Sequence, residues 1–327
     1  MLRALIAGTG RGVSDRVLAN ADLEKMVDTS DSWIMERTGI RERRIIQPGQ
    51  RTSDLATTAG REACAKAGID PKTLDCIIIT TVTPDSPLPA TAVHVQRKLG
   101  ANGCAAFDIA AACAGFIYGL AIGDAFIQKG QYRRILLVGV EVLSPVIDWE
   151  DRNTCVLFGD GAGAVVLVPG EDGDRGVWST HLYADGAMAE HIRIPGGGTA
   201  MPATAETVAN REHFVKMNGR EVFKHAVRNM GRAALTALEH NHLTVAQIDK
   251  VVAHQANMRI IEGVAKQLGV GLDRFFLNIE KYGNTSSASI PIALDEAIAA
   301  GAIKQGDLLL MAALGAGFSW GSAVVKL

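Results

Sequence analysis

"YRRILLVGVE", residues 132–141, and "QGDLLLMAALG", residues 305–315, are the two stretches on which the fold turns. Each leaves a polar turn and becomes a nearly continuous apolar run. A strand with one solvated face alternates apolar and polar residues; a strand covered on both faces does not. The two runs also share their neighbours. Upstream, "GREACAKAGIDPKTLDCIII" (60–79) matches "GRAALTALEHNHLTVAQIDKVV" (231–252). Both carry Gly-Arg near a helix start, a polar turn, an Asp and then a strand. Downstream, "FGDGAGAVVLV" (158–168) matches "FSWGSAVVKL" (318–327). The order helix, strand, helix, strand, strand therefore occurs twice.

The spacing predicts covered strands at Cys76–Thr81, Ile135–Val140, Val251–His254 and Leu308–Ala313. Strands alternating with helices imply right-handed crossovers and mostly parallel sheets in an α/β fold. "GAGAVVLV" and "GSAVVKL" each follow a strand and a glycine turn, so they are expected as antiparallel neighbours. The start of the chain, through Gly8, reads as a first strand rather than a secretory signal. Two similar halves result, 1–170 and 171–327.

Composition limits the function classes. The chain has 327 residues, 33 Lys and Arg against 35 Asp and Glu, and a net charge of −2. A nucleic-acid binder would usually be basic. No apolar run reaches the length of a membrane span. The five cysteines are odd in number and form no C-x-x-C pair. That pattern predicts reduced thiols in a cytoplasm and no zinc site.

One of those cysteines, Cys113, lies in "DIAAACAGF" (108–116), a small-residue apolar segment. It is expected at a helix N-terminus, where backbone N–H groups favour a thiolate and lower the thiol pKa. In an alanine-rich segment a cysteine also serves as a small core residue. On that segment alone core packing is favoured; the duplication raises the weight of the nucleophile reading. Open α/β sheets build sites at the carboxyl ends of their strands. The strand before "HQAN" ends on His254, and the loop "GNTSSAS" (283–289) is the second-half counterpart of the Cys113 segment. That loop should face Cys113 and bring Asn284 with it. A histidine moves protons and an asparagine donates hydrogen bonds, so the set could hold a developing oxyanion. "GAGF" (315–318) follows a covered strand, and its N–H groups with that of Cys113 could complete an oxyanion hole. "GDGAG" (159–163) precedes a strand, not a helix, so the dinucleotide fingerprint is not met.

At these residues the sequence resembles the β-ketoacyl-[acyl-carrier-protein] synthase III family, the condensing enzymes that start type II fatty acid synthesis. The resemblance spans the chain, through "DTSDSWIMERTGIRERR" (28–44), "DIAAACAGFIYGL" (108–120), "FGDGAGA" (158–164), "MNGREVFK" (217–224), "HQANMRI" (254–260), "GNTSSASIP" (283–291) and "GAGFSWGSA" (315–323). It implies a thiolase-like, five-layered α-β-α-β-α fold made of two similar halves, and a homodimer. It implies that Cys113 takes an acyl group from acyl-CoA and condenses it with malonyl-acyl carrier protein, releasing carbon dioxide. His254 and Asn284 would stabilise the enolate, and the amides of Cys113 and Ala316 the acyl-transfer oxyanion. By the same resemblance Trp33 stacks on adenine with Arg152 on the other face, Arg37 meets phosphates, and Thr29 and Asn257 touch CoA. Leu88, Leu143, Phe158 and Leu314 would shape the acyl pocket, Leu88 from the partner protomer. Lys224 and Arg259 would meet the carrier protein. No metal or cofactor is implied, since acyl-CoA is a substrate; neither nucleic acid nor membrane is an expected partner.

The sequence departs from the family in places. Ala316 stands where glycine is frequent, which preserves the N–H provided φ is negative. Leu88 and Leu314 stand where phenylalanine is frequent, which admits a longer or branched primer beside acetyl. Residues 194–213 form an unusually long stretch, expected as a mobile loop over the site or a plain surface insertion. Two other functions fit the same motifs: a same-fold acyltransferase of a secondary-metabolite pathway that does not decarboxylate malonyl groups, and a non-catalytic acyl- or CoA-binding module.

Overall fold

The structure, a computed structural model, describes residues 2–170 and 174–327. The expected boundary after residue 170 therefore abuts three residues, 171–173, that lie outside the described ones. Nine strands form two main sheets. The first holds β1 (Arg3–Gly12), β2 (Cys76–Thr80), β3 (Ala105–Ile109), β4 (Ile135–Glu141) and β5 (Gly161–Gly170) in the order β1-β5-β4-β2-β3. The second holds β6 (Gly176–Ala184), β7 (Lys250–Ala253), β8 (Leu308–Gly315) and β9 (Ser319–Lys326) in the order β7-β8-β9-β6.

The duplication survives in the hydrogen bonding. In the first sheet β2 pairs parallel with β3 and β4, and β5 runs antiparallel between β4 and β1. In the second, β7 pairs parallel with β8, and β9 runs antiparallel between β8 and β6. The counterpart of β3 is reduced to one parallel bridge, Val251 to Phe275. Both glycine-led segments are thus antiparallel, as expected from their position after a tight turn.

The longer helices among the described residues are α1 (Asp31–Thr38), α2 (Thr52–Ala67), α3 (Thr91–Leu99), α4 (Gly115–Gln128), α5 (Gly219–His240), α6 (Met258–Leu268) and α7 (Ser289–Ala299), and all but α1 form the layers. Alternate residues of each covered strand point into different cores. Ile78 and Leu137 of the first sheet, and Val252 and Leu309 of the second, join Phe116 and Leu120 of α4 and Ile290 and Leu294 of α7. Their neighbours Ile77, Ile79 and Leu136 pack outward on α2 and α3. Val251 and Leu310 pack outward on α5 and α6. The layers are therefore α2/α3, sheet, α4/α7, sheet, α5/α6, five in all. Each fully buried leucine or isoleucine contributes roughly 1.5–3 kcal/mol, which is why both faces of these strands read as apolar. No helix among the described residues is long and apolar enough to cross a membrane.

Small residues set how close the central layer comes. A Cβ on Gly139 of β4 would collide with the carbonyl oxygen of Ser287. The turn before α7 therefore lies directly on the strand that ends at Glu141.

Residues 194–213 are a folded surface strap. They hold a short helix, Ala205–Ala209, and Arg211 anchors them through hydrogen bonds to Asp148. None of them lines the central cavity, so the covering-loop expectation gives way to the surface-insertion one.

Candidate active site

Chain direction at the ends of β3 and β7 places the chemistry. After β3 the backbone enters a tight turn, Ala112–Ala114, and α4 begins at Gly115. Ala112 holds a left-handed φ of 45°, a sparsely populated conformation for a residue with a side chain. Cys113 follows it, 8% exposed. A Cβ on Gly315, at the end of β8, would overlap the Cys113 backbone nitrogen. "GAGF" is therefore pressed against the cysteine backbone. Ala316 is not among the non-glycine residues with positive φ, so its methyl costs no strain and its N–H is kept.

His254 lies one residue beyond β7 and is 1% exposed. Its Nδ1 is 2.7 Å from the Ser289 hydroxyl at the start of α7. The same hydroxyl accepts the Gln255 N–H at 3.3 Å. Asn284 is stitched to the other half: its N–H donates to the Leu157 carbonyl at 2.9 Å, and its own carbonyl accepts from Gly159 at 3.0 Å. Its side-chain oxygen accepts the Ser286 N–H at 2.8 Å, which leaves the amide nitrogen for the cavity.

All three side chains line one cavity of 630 Å³. The expectation that loop 283–289 faces Cys113 holds. The cavity wall also includes Trp33, Arg37, Phe158, Asn257, Arg259, Leu314 and Ala316. Its mouth gains a further cation, Arg220, that the sequence reading did not single out.

The protonation states differ from the sequence expectation. A depressed thiol was expected at Cys113 from the helix start. Burial instead pushes it up to about 12, with the Glu141 carboxylate adding to the rise and a Ser286 hydrogen bond opposing it. Burial pushes His254 down to about 3. Both shifts favour the uncharged forms, a thiol and a neutral imidazole. The cause is desolvation, which disfavours either charge on a side chain taken out of water.

Other residues are arranged less simply. The Arg152 guanidinium lies 4.3 Å from the centre of the Trp33 ring, and that of Arg37 lies at 4.9 Å. Arg152 also pairs with Asp28 at 3.3 Å. It rests on the indole itself, so a flat ligand group enters between them only as Arg152 moves. The Thr29 hydroxyl oxygen is buried with no hydrogen-bond partner among the described residues. Asn257 caps α6 by accepting from the Arg259 N–H, and donates to the Arg37 carbonyl at 2.9 Å. Leu143 does not line the cavity; it packs in a core cluster with Phe158, which does. Leu88 is 85% exposed and far from lining its own cavity. Lys224 is likewise exposed, paired with Glu221 at 3.5 Å.

Sequence reading missed Glu141, fully buried beside the cysteine turn. Its signal was present: an acid ending an otherwise apolar strand. Ser286 and Ser289 were quoted within their motif without being assigned contacts.

Two similar sheet–helix halves that share one cavity define a thiolase-like, five-layered α/β fold. Comparison with known proteins narrows this. Family profiles for 3-oxoacyl-[acyl-carrier-protein] synthase III match residues 107–186, and for its C-terminal region residues 238–327. The β-ketoacyl-[acyl-carrier-protein] synthase III of Caldanaerobacter subterraneus subsp. tengcongensis is 52% identical over 325 residues, covering 99% of this chain and 98% of the relative. The crystal structure of 3-oxoacyl-[acyl-carrier-protein] synthase III from Aquifex aeolicus is 46% identical with a TM-score of 0.92, covering 99% of this chain and 100% of that one. The priming β-ketosynthase of the R1128 polyketide pathway is 34% identical with a TM-score of 0.92, covering 99% and 96%. The chain belongs to the β-ketoacyl-[acyl-carrier-protein] synthase III family.

Proposed function

We propose that Cys113, His254 and Asn284 carry out the initiating condensation of this family, from acyl-CoA and malonyl-acyl carrier protein to 3-ketoacyl-acyl carrier protein. The observation that carries the reading is that three side chains from separate segments, two of them more than 140 residues from the first in sequence, line one 630 Å³ cavity.

The Cys113 sulfur attacks the acyl-CoA thioester carbon while the oxyanion rests on the Cys113 and Ala316 N–H groups. The bond to CoA breaks, and the proton lost by the Cys113 thiol is balanced by the one gained on CoA sulfur. Malonyl-carrier protein then loses carbon dioxide, and the released electron pair forms an enolate. Its oxygen takes hydrogen bonds from His254 and Asn284. The neutral imidazole suits this role. Nδ1 is held by the Ser289 hydroxyl, so in the tautomer with its hydrogen on Nε2 that hydrogen is the one offered to the enolate. The enolate carbon attacks the acyl-Cys113 thioester, and one solvent proton restores the thiol. Each bond broken is matched by one formed, with no change in oxidation state that would call for a metal or redox cofactor.

Trp33, Arg152, Arg37, Thr29 and Asn257 bind the CoA portion, and the orphaned Thr29 hydroxyl is a hydrogen-bonding group for it. Phe158 and Leu314 bound the acyl group; the shortened Leu314 admits short straight or branched primers. Arg259, Arg220 and Lys224 form a cationic rim for the acidic carrier protein, a weak contact that lets the partner leave. The outer edge of β3 and the exposed Leu88 are the surface on which a second protomer pairs. The free cysteines fit a cytoplasmic setting.

Intact mass spectrometry after incubation with a panel of acyl-CoAs tests the nucleophile and the primer range. Labelled carbon dioxide release from malonyl-carrier protein separates condensation from simple acyl transfer. A Cys113→Ala variant that forms the adduct at the wild-type rate would overturn the assignment.

A further inference from the structure

Glu141 ends β4 with no solvent contact. Thr83 donates its hydroxyl to Oε2 at 2.8 Å, and the Val82 N–H donates to the same oxygen at 3.2 Å. On the other oxygen, Oε1, the Ser286 hydroxyl donates at 3.2 Å, and the Ser287 hydroxyl lies at 3.3 Å. A carboxyl group this deep is costly to bury unless its partners require it. Its partners fall into two sets. Thr81, Val82 and Thr83 follow β2, in the first half of the duplicated fold. Ser286 and Ser287 belong to the turn that presents Asn284.

Ser286 is the link. It holds a left-handed φ of 50°, unfavourable for a residue with a side chain unless something fixes it. In that conformation its N–H reaches the Asn284 side-chain oxygen at 2.8 Å. Gly139 leaves the room for this turn to lie on β4.

We propose that Glu141 is a positioning residue for the malonyl half-reaction: through Ser286 it fixes the Asn284 carboxamide with its nitrogen toward the cavity. The inference rests on the reading of Asn284 as an enolate donor. Glutamine at position 141 is matched in shape but not in bonding. Its NH2 faces either the Val82 N–H, which cannot accept, or the Ser286 hydroxyl, which must turn round to accept and gives up its present role as donor. Burial raises the Glu141 carboxyl to about 7, against the hydrogen bonds that lower it.

The test measures two half-reactions: acyl-adduct formation by intact mass spectrometry, and carbon dioxide release from malonyl-carrier protein. Glu141→Gln and, independently, Ser286→Ala should slow carbon dioxide release about 10- to 100-fold. Ser286 and Glu141 also act on the Cys113 thiol, in opposite senses, so carbon dioxide release is read on enzyme already carrying the acyl group, where no thiol remains, and KM for malonyl-carrier protein should hold. In an Asn284→Ala background the same substitutions should cost less than about threefold further. A merely structural role would add its full loss in the Asn284→Ala background; that result overturns the proposal. Unchanged carbon dioxide release in Asn284→Ala alone overturns the reading of Asn284, and the proposal with it. Ser286→Ala removes a single hydroxyl, so the result does not depend on Glu141→Gln folding.

Discussion

The Ser289 hydroxyl lies 2.7 Å from His254 Nδ1, and both groups are buried. One serine at the head of α7 thereby sets which nitrogen of the histidine faces the cavity. Replacing it by alanine frees the imidazole to adopt the other tautomer. Ser289→Ala should slow decarboxylation about tenfold, as expected when one preorganised hydrogen-bond donor to the enolate loses its orientation. Carbon dioxide release under single-turnover conditions reads this directly. Wild-type release would leave the imidazole oriented by some other contact.

The burial of His254 also predicts an acid sensitivity. Above pH 6.5 the imidazole is neutral in both folded and unfolded chains. Between 6.5 and the folded value of about 3 only the unfolded chain takes up the proton. Stability is therefore complete above pH 6.5 and falls as pH drops toward 3. The slope from this one group approaches about 1.4 kcal/mol per pH unit. A His254→Gln variant should lose that component, so its stability difference from wild type should change across this window. Thermal melts at pH 7, 6 and 5 show it; parallel curves would contradict the burial argument.

The raised Cys113 thiol has a kinetic signature. With a pKa pushed up to about 12, thiolate is a small fraction at neutral pH and increases about tenfold per unit. Alkylation of the free enzyme by iodoacetamide, followed by mass spectrometry, should accelerate steadily from pH 7 to 9. A plateau below pH 8 would mean that the helix start outweighs burial.

Gly315 predicts a steric dependence. A methyl group there would meet the Cys113 backbone nitrogen. Gly315→Ala should cut adduct formation at least tenfold by displacing the oxyanion donors, whereas Ala316→Gly should change it little. Equal rates in both variants would remove the oxyanion hole from this turn.

Trp33 and Arg152 predict a binding effect. Trp33→Ala should raise KM for acyl-CoA about tenfold with a smaller change in kcat, since the indole touches a part of the substrate remote from the reacting carbon. Steady-state kinetics with the acyl-CoA varied decide it; an unmoved KM sinks the proposed CoA site.

The amino-acid sequence by itself determined the paired halves, the covered strands at Ile135 and Leu308, and the convergence of Cys113, His254 and Asn284. Those features are carried by periodicity and by matched segments, which need no knowledge of distant contacts. Tertiary structure alone decided the charge on Cys113 and His254, the seating of Arg152 on Trp33, the exclusion of Leu143 from the cavity, and the buried bridge from Glu141 to Ser286. Each of these depends on atoms that meet only after the halves close, and desolvation has no local signature. A chain can therefore declare which groups react while leaving their protonation and aim to the packing around them.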